Sequence, residues 1–234
     1  MKTFLIDDNL IVKQTFTLNA EESHHAIKVM RCRQHDTVRI LNGKGQLATA
    51  EIIDIKELLC VKIIEVNKIT ERSKISIGLA NIKKRDRMEW FLEKAVECGI
   101  DSVFIYFSKN TEKSGIDLGR LNKIAQNALK QSGNVWMPKI ELAPKFEDWV
   151  KSLNYNNKFI AYCPIGLELH LQNEYCDKEP AIILIGPEGD FTPNEVDVAI
   201  VNSFKPVSLG KQILRAETAA LYALITANNN NLTK

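Results

Sequence analysis

Ile182-Ile183-Leu184-Ile185-Gly186-Pro187-Glu188-Gly189-Asp190-Phe191-Thr192-Pro193 is the most informative stretch of the chain. Four consecutive apolar residues, three of them β-branched, read as a strand buried on both faces. A glycine-rich turn follows. Thr192 then stands as the N-cap of a helix, with Pro193 at its first position and Glu195 placed to close a capping box. A buried strand, a turn of small residues and a capped helix form the βα unit of an open parallel sheet. Ligands of such sheets bind beyond the carboxyl ends of the strands, where this turn sits. Neither the phosphate loop G-x-x-x-x-G-K-[ST] nor the dinucleotide turn G-x-G-x-x-G is present, so spacing alone leaves open a plain tight turn or a ligand site of unnamed chemistry.

Outward from this unit the same alternation continues. Ile75 to Ala80, Val103 to Phe107, Phe159 to Cys163 and Ala181 to Ile185 read as apolar strands. Met88, Phe91, Leu92, Ala95 and Val96 fall at helical spacing ahead of Gly99. Leu118, Leu121, Ile124, Ala125, Ala128 and Leu129 do the same further on. A helix from Pro193 to Phe204, a short strand around Val207 and a helix from Ala216 to Ala227 complete the pattern, with a frayed tail from Asn228 to Lys234. The fold class is therefore α/β, a parallel sheet covered on both faces.

The first seventy residues differ. Asn19 and Glu22 have capping-box spacing ahead of a helical segment from Ala20 to Met30. Strands then follow at Asp36 to Leu41, Gln46 to Asp54 and Leu58 to Val66, the first two joined by the turn Asn42-Gly43-Lys44-Gly45. Three strands bury little alone, so further N-terminal strands in a small barrel are expected. The polar stretch Asn67 to Lys74 marks the boundary, giving domains 1–71 and 72–234.

Composition excludes several classes. Of 234 residues, 31 are Lys or Arg and 29 Asp or Glu, a net charge of +2, so any nucleic-acid contact must come from local clusters. Met1 to Leu10 lacks the apolar run of a signal peptide, and no stretch approaches the ~20 apolar residues of a membrane span. Five scattered cysteines (Cys32, Cys60, Cys98, Cys163, Cys176) without a C-x-x-C pair speak against a disulfide framework or zinc site and fit a reducing cytoplasm. No metal and no membrane partner are expected.

A second turn, Val207-Ser208-Leu209-Gly210-Lys211-Gln212-Ile213-Leu214-Arg215-Ala216-Glu217-Thr218, again ends a strand in a glycine and opens a helix. Arg215 at a helix start opposes the macrodipole, which favours anions there. Ile213 and Leu214 read either as walls of a pocket for a flat ring or as ordinary packing.

Taken together, the two turns resemble the RsmE family of 16S rRNA uridine-N3 methyltransferases in the SPOUT superfamily. His24-His25 before Val29-Met30-Arg31, Asn42-Gly43, Lys84 through Glu89, Lys94 to Gly99, Gln131-Ser132 and Pro138 extend the resemblance over nearly the whole chain. Asp190, Arg85, Lys113 and Asn134 depart from it. The first stands where a third glycine is usual and the second where a glycine is common. The other two stand where an arginine is typical or frequent.

The resemblance implies a PUA-like N-terminal β-barrel that helps hold RNA, a C-terminal SPOUT domain with a trefoil knot, and a homodimer acting on 16S rRNA of the small ribosomal subunit. Pattern alone would give an unknotted sheet. The implied methyl donor is S-adenosylmethionine, an activated sulfonium that needs no metal. Its pocket maps onto Cys163, Pro164, Ile185, Gly186, Pro187, Glu188, Gly189, Leu209, Gly210, Ile213 and Leu214. Arg215 is the candidate to stabilise charge on the uracil oxygens, with Glu217 or Glu188 to accept a proton or orient Arg215. Arg31, Arg33, Lys83, Lys84, Arg87 and Lys113 are the candidate phosphate contacts. Two rival functions remain: a SPOUT enzyme for another RNA site or a ribose 2′-hydroxyl, and a non-catalytic RNA-binding assembly factor. An ordinary nucleotide-dependent enzyme fits less well, for want of a phosphate-binding turn.

Overall fold

The computed structural model describes residues 1–111, 115–162, 169–175 and 179–232. Cys163, Pro164 and Lys113, expected in the site, lie outside these residues. By contacts the chain forms two compact units. One is Met1–Arg72 with Gln126–Met137, the other Ser73–Ala125 with Pro138–Lys234.

In the first unit, β1 (Thr3–Leu5), β2 (Thr15–Thr17), β3 (Thr37–Leu41), β4 (Gln46–Asp54) and β5 (Cys60–Lys68) form one mixed sheet in the order β1-β3-β4-β5-β2. The two N-terminal strands that the barrel required are its edges. Alternate residues of β4 are buried from Gln46 to Ile52, the period of a strand with one face on a core. That core gathers Phe4, Val38, Ile40, Ala48, Ile52, Val61 and Ile63. Each large apolar side chain fully buried there contributes about 1.5–3 kcal/mol.

The helix α1 (Ala20–His24) is capped by Asn19, whose side chain accepts from the Glu22 amide at 2.8 Å. It continues as one π-helical turn, His25–Val29, and stops at Arg31, whose φ is +51°.

At the β3–β4 turn, Gly43 and Gly45 have φ of +69° and +91°, the left-handed backbone that glycine adopts without steric cost. Gly45 has a second reason to be glycine. A Cβ there would lie 2.4 Å from the Trp136 ring. Trp136 is held in place by its indole N–H, which donates to the Glu71 carbonyl at 2.8 Å, and by Arg72 over its ring.

The second unit is an all-parallel six-stranded sheet of β6 (Ile75–Ala80), β7 (Ser102–Tyr106), β8 (Lys139–Leu142), β9 (Asn157–Ala161), β10 (Ala181–Ile185) and β11 (Lys205–Val207). The order is β11-β9-β10-β6-β7-β8. All residues of β6 and β10 are buried, as central strands of a parallel sheet require. The helices are α2 (Arg85–Glu97), α3 (Leu118–Ser132, which from Gln126 onward belongs to the first unit), α4 (Phe146–Ser152), α5 (Leu171–Glu174), α6 (Pro193–Val201) and α7 (Ala216–Leu232). The last packs on α2, β6 and β10. Close approach is built in at Gly78, where a Cβ would meet Leu184 at 2.6 Å and Trp149 at 2.7 Å.

Three elements, β8, α4 and α5, were not anticipated. β8 is a four-residue edge strand and the two helices have seven and four residues, too short to show a period. Conversely, α7 runs on through the asparagines read as a frayed tail. Asn228 is drawn in there because its side chain donates to the Cys98 and Gly99 carbonyls at the end of α2.

The chain leaves β6 toward β7 and leaves β10 toward β11, in opposite directions across the sheet. The two connections diverge at the carboxyl edge, which is where an open α/β sheet leaves a crevice.

Candidate active site

The turn after β10 is held from beneath. The Tyr106 hydroxyl, fully buried, donates to the Ile185 carbonyl at 2.9 Å. Burial pushes its phenol well above the usual tyrosine value, and the negative charges of Glu195 and Asp190 push the same way. At Gly186 the backbone and the Phe191 ring folded back under the turn approach closely, and a Cβ there would stand 3.0 Å from the ring.

Asp190, in place of a third glycine, has a φ of +62°. Aspartate tolerates this backbone because its short side chain bonds locally, and here Oδ1 accepts from the Phe191 amide at 2.7 Å. The Asp190 amide closes the turn onto the Pro187 carbonyl at 2.9 Å.

The capping box read from Thr192, Pro193 and Glu195 is present in α6. Glu195 does more than cap. Its Oε2 accepts from the Thr192 amide at 2.8 Å, and its Oε1 accepts from the Lys109 amide at 3.1 Å. Asn110 donates to the carbonyls of Gly189 and Asp190 at 3.3 and 3.1 Å. The loop after β7 thus buttresses the turn after β10.

Opposite this turn, β11 ends at Val207 and is followed by Ser208. The Ser208 hydroxyl accepts from the Gly210 amide at 3.1 Å and donates to its carbonyl at 3.2 Å. Gly210 has a φ of +133°, a conformation closed to most side chains. The chain then runs exposed through Lys211, Gln212 and Ile213 to α7.

Between the two turns lies a cleft of about 640 Å³. That is an ordinary size for a small-molecule site. Of the residues expected at a donor site, Ile185, Gly186, Pro187, Glu188, Leu209, Gly210, Ile213, Leu214 and Arg215 line it. Gly189 does not, and instead meets Asn110 behind the turn. Several lining residues escaped the sequence reading. Ala216 and Ala219 present small side chains one turn apart on α7, and Ala161 and Val207 are strand ends. The alanine spacing was the available signal.

A nucleoside-sized ligand fits the chemistry of the walls. Val207, Leu214 and Ala216 are apolar, backbone groups of both turns are polar, and Glu188 and Asp190 supply negative charge for a cationic group.

Arg215 is exposed at the start of α7 and makes no ion pair among the described residues. Glu217 lies apart from the cleft walls. Its nearly buried carboxylate faces Arg87, with Oε1 3.4 Å from the guanidinium Nε. The expected phosphate contacts fall in both units. Arg31 and Arg33 are exposed in the first, Lys83 and Lys84 are exposed in the second with Lys84 as the N-cap of α2, and Arg87 is mostly covered. Among the described residues no group of three metal-binding side chains occurs, and no helix is long and apolar enough to cross a membrane.

Fold and cleft together define a class. A model of the RNA methyltransferase domain matches residues 70–228, and a model of the RNA methyltransferase PUA domain matches residues 18–64. The chain is 31% identical over 231 residues to a ribosomal RNA small subunit methyltransferase E of Buchnera aphidicola, covering 94% of this chain and 89% of that one. A probable rRNA methyltransferase from Porphyromonas gingivalis superposes with a TM-score of 0.89 at 32% identity, covering 99% of each chain. A ribosomal RNA small subunit methyltransferase E from Neisseria gonorrhoeae, bound to S-adenosyl methionine, superposes at 0.83 with 26% identity, covering 98% of this chain and 97% of that one. This chain belongs to the ribosomal RNA small subunit methyltransferase E family.

Proposed function

We propose that the protein transfers a methyl group from S-adenosylmethionine to N3 of a uridine in 16S rRNA of the small ribosomal subunit. The observation that carries this reading is the cleft between the Gly186–Asp190 and Leu209–Arg215 turns, at the carboxyl edge of a parallel sheet in a chain of this family. S-adenosylmethionine, when bound, supplies an electrophilic methyl carbon. The protein's own part is to hold the donor between the two turns, align the target nitrogen and exclude water. Positioning of this kind contributes about 7–11 kcal/mol to lowering a barrier. Cys163 and Pro164 are assigned to the donor as well.

Uridine N3 carries a proton that must leave around the transfer, and negative charge then grows on the uracil oxygens. Arg215 is assigned to stabilise that charge. Its position supports the role: it lines the cleft, and its guanidinium has no ion-pair partner among the described residues. Glu188, which lines the cleft, is assigned to accept that proton, and Glu217, which lies apart from the cleft walls and faces Arg87, is assigned to orient Arg215. Arg31, Arg33, Lys83, Lys84 and Lys113 are assigned to phosphates.

The same reading includes a cytoplasmic homodimer with a knotted C-terminal domain. Tyr222 and Ile225 on α7, 47% and 38% exposed, are apolar surface suited to a second copy. The test is methylation of small subunits that lack the modification, followed by mass spectrometry of the nucleosides. N3-methyluridine formed only with the donor supports the reading. A 2′-O-methyl nucleoside, or no product, replaces it.

A further inference from the structure

We infer that Arg87 is a positioning residue of the methyl-transfer site, which fixes the first turn of α7, and Arg215 with it, through its ion pair with Glu217. The inference rests on the reading above.

Arg87 is the third residue of α2, where a cation opposes the helix dipole. Its own helix gives no reason for it. The reason lies 130 residues away, where Glu217 stands in the first turn of α7 with the sign that turn favours. The two groups meet at 3.4 Å, with side chains 26% and 8% exposed. Glu217 Oε2 has no hydrogen-bond partner and no exposed surface. Arg87 is therefore the cation that this carboxylate meets in the interior, and removing it leaves a buried charge uncompensated.

The geometry connects this pair to the cleft. Ala216 and Ala219, on either side of Glu217 in sequence, line the cleft, and Arg215 opens the same turn. A rotation of the start of α7 moves all three. A displacement of about 1 Å at a reacting centre costs roughly 100-fold in rate. A mostly covered guanidinium engaged with a carboxylate is also poorly placed to meet a phosphate, the role its place in the basic loop suggested.

Steady-state methylation by Arg87→Lys, Arg87→Met, Glu217→Gln and the double variant Arg87→Met/Glu217→Gln tests the inference. Arg87→Met should lower kcat roughly 10- to 100-fold, with RNA KM and donor Kd changed less than about threefold. Arg87→Lys should recover part of the loss. The double variant should be no worse than Arg87→Met, because the two side chains act as one unit. Amide hydrogen exchange near Glu217 should quicken in Arg87→Met.

An unchanged kcat, multiplicative losses in the double variant, or a raised RNA KM with a shallower salt dependence overturns the inference, the last in favour of a phosphate contact. A wild-type protein that transfers no methyl defeats the functional reading instead. Hydrogen exchange then judges the pair alone, and an unchanged rate near Glu217 in Arg87→Met and in Glu217→Gln counts against it.

Discussion

Tyr106 and Ile185 are joined by a 2.9 Å hydrogen bond from a buried phenol to the last carbonyl of the central strand β10. That carbonyl sits where the strand stops pairing and the donor turn begins. The bond therefore links the core of the sheet to the wall of the cleft. Replacing Tyr106 with phenylalanine keeps the ring packing with Phe146 and Trp149 and strands the carbonyl. The expected loss is about 1–3 kcal/mol in urea unfolding.

The same residue gives a pH dependence of known sign. The folded pKa of Tyr106 lies well above its ordinary value of 10. The unfolded chain therefore loses this proton first as pH rises, and stability falls. The contribution is whole below pH 10 and declines as the pH climbs from there toward the folded value. Wild type should lose more stability between pH 9 and pH 11 than Tyr106→Phe does. Parallel alkaline profiles for the two proteins contradict the assignment.

Gly45→Ala should destabilise by at least ~2 kcal/mol, since it adds a Cβ against the Trp136 ring and strains a φ of +91°. A urea midpoint equal to that of wild type means the Trp136 ring is not seated there.

Asp190 separates two effects at one position. Asp190→Gly relieves the left-handed backbone, about 1 kcal/mol, and loses the bond to the Phe191 amide, also about 1 kcal/mol. Its melting temperature and donor affinity should stay near those of wild type. Asp190→Val keeps the strain, loses the bond and adds a β-branch, so both quantities should fall. Equal behaviour of the two variants would show that the turn does not depend on this φ.

Arg215→Ala should leave donor Kd within about threefold and lower kcat by roughly 100- to 1000-fold, the scale of losing one stabilising group at a developing charge. A methylation rate close to wild type removes Arg215 from the chemistry.

What the sequence made legible was local. Thr192, Pro193 and Glu195 announce their capping box because its bonds span three residues. The apolar run of β10 announces a buried parallel strand for the same reason. Asp190 stood out as a departure from a glycine, and its φ shows why the position is special. What stayed hidden depends on distance along the chain. Nothing near Arg87 indicates Glu217, and nothing near Glu195 indicates that the Lys109 amide will need its second oxygen.

The segment Gln126–Met137 belongs with the first unit although it is embedded in the sequence of the second. Its tie is the pairing of Gly43 and Gly45 with Met137 and Val135, which no periodicity reports. Short elements were lost as well: β8 and α4 follow Pro138 and Pro144 with too few residues for a pattern.

Calorimetric titration of the pure, folded protein with S-adenosylmethionine asks whether the two glycine turns hold a sulfonium donor. Saturable binding, weakened at least tenfold by Gly186→Val, is the outcome that follows from the cleft described above. Absence of any binding of the donor or of its demethylated product, by a protein shown to be folded, contradicts it.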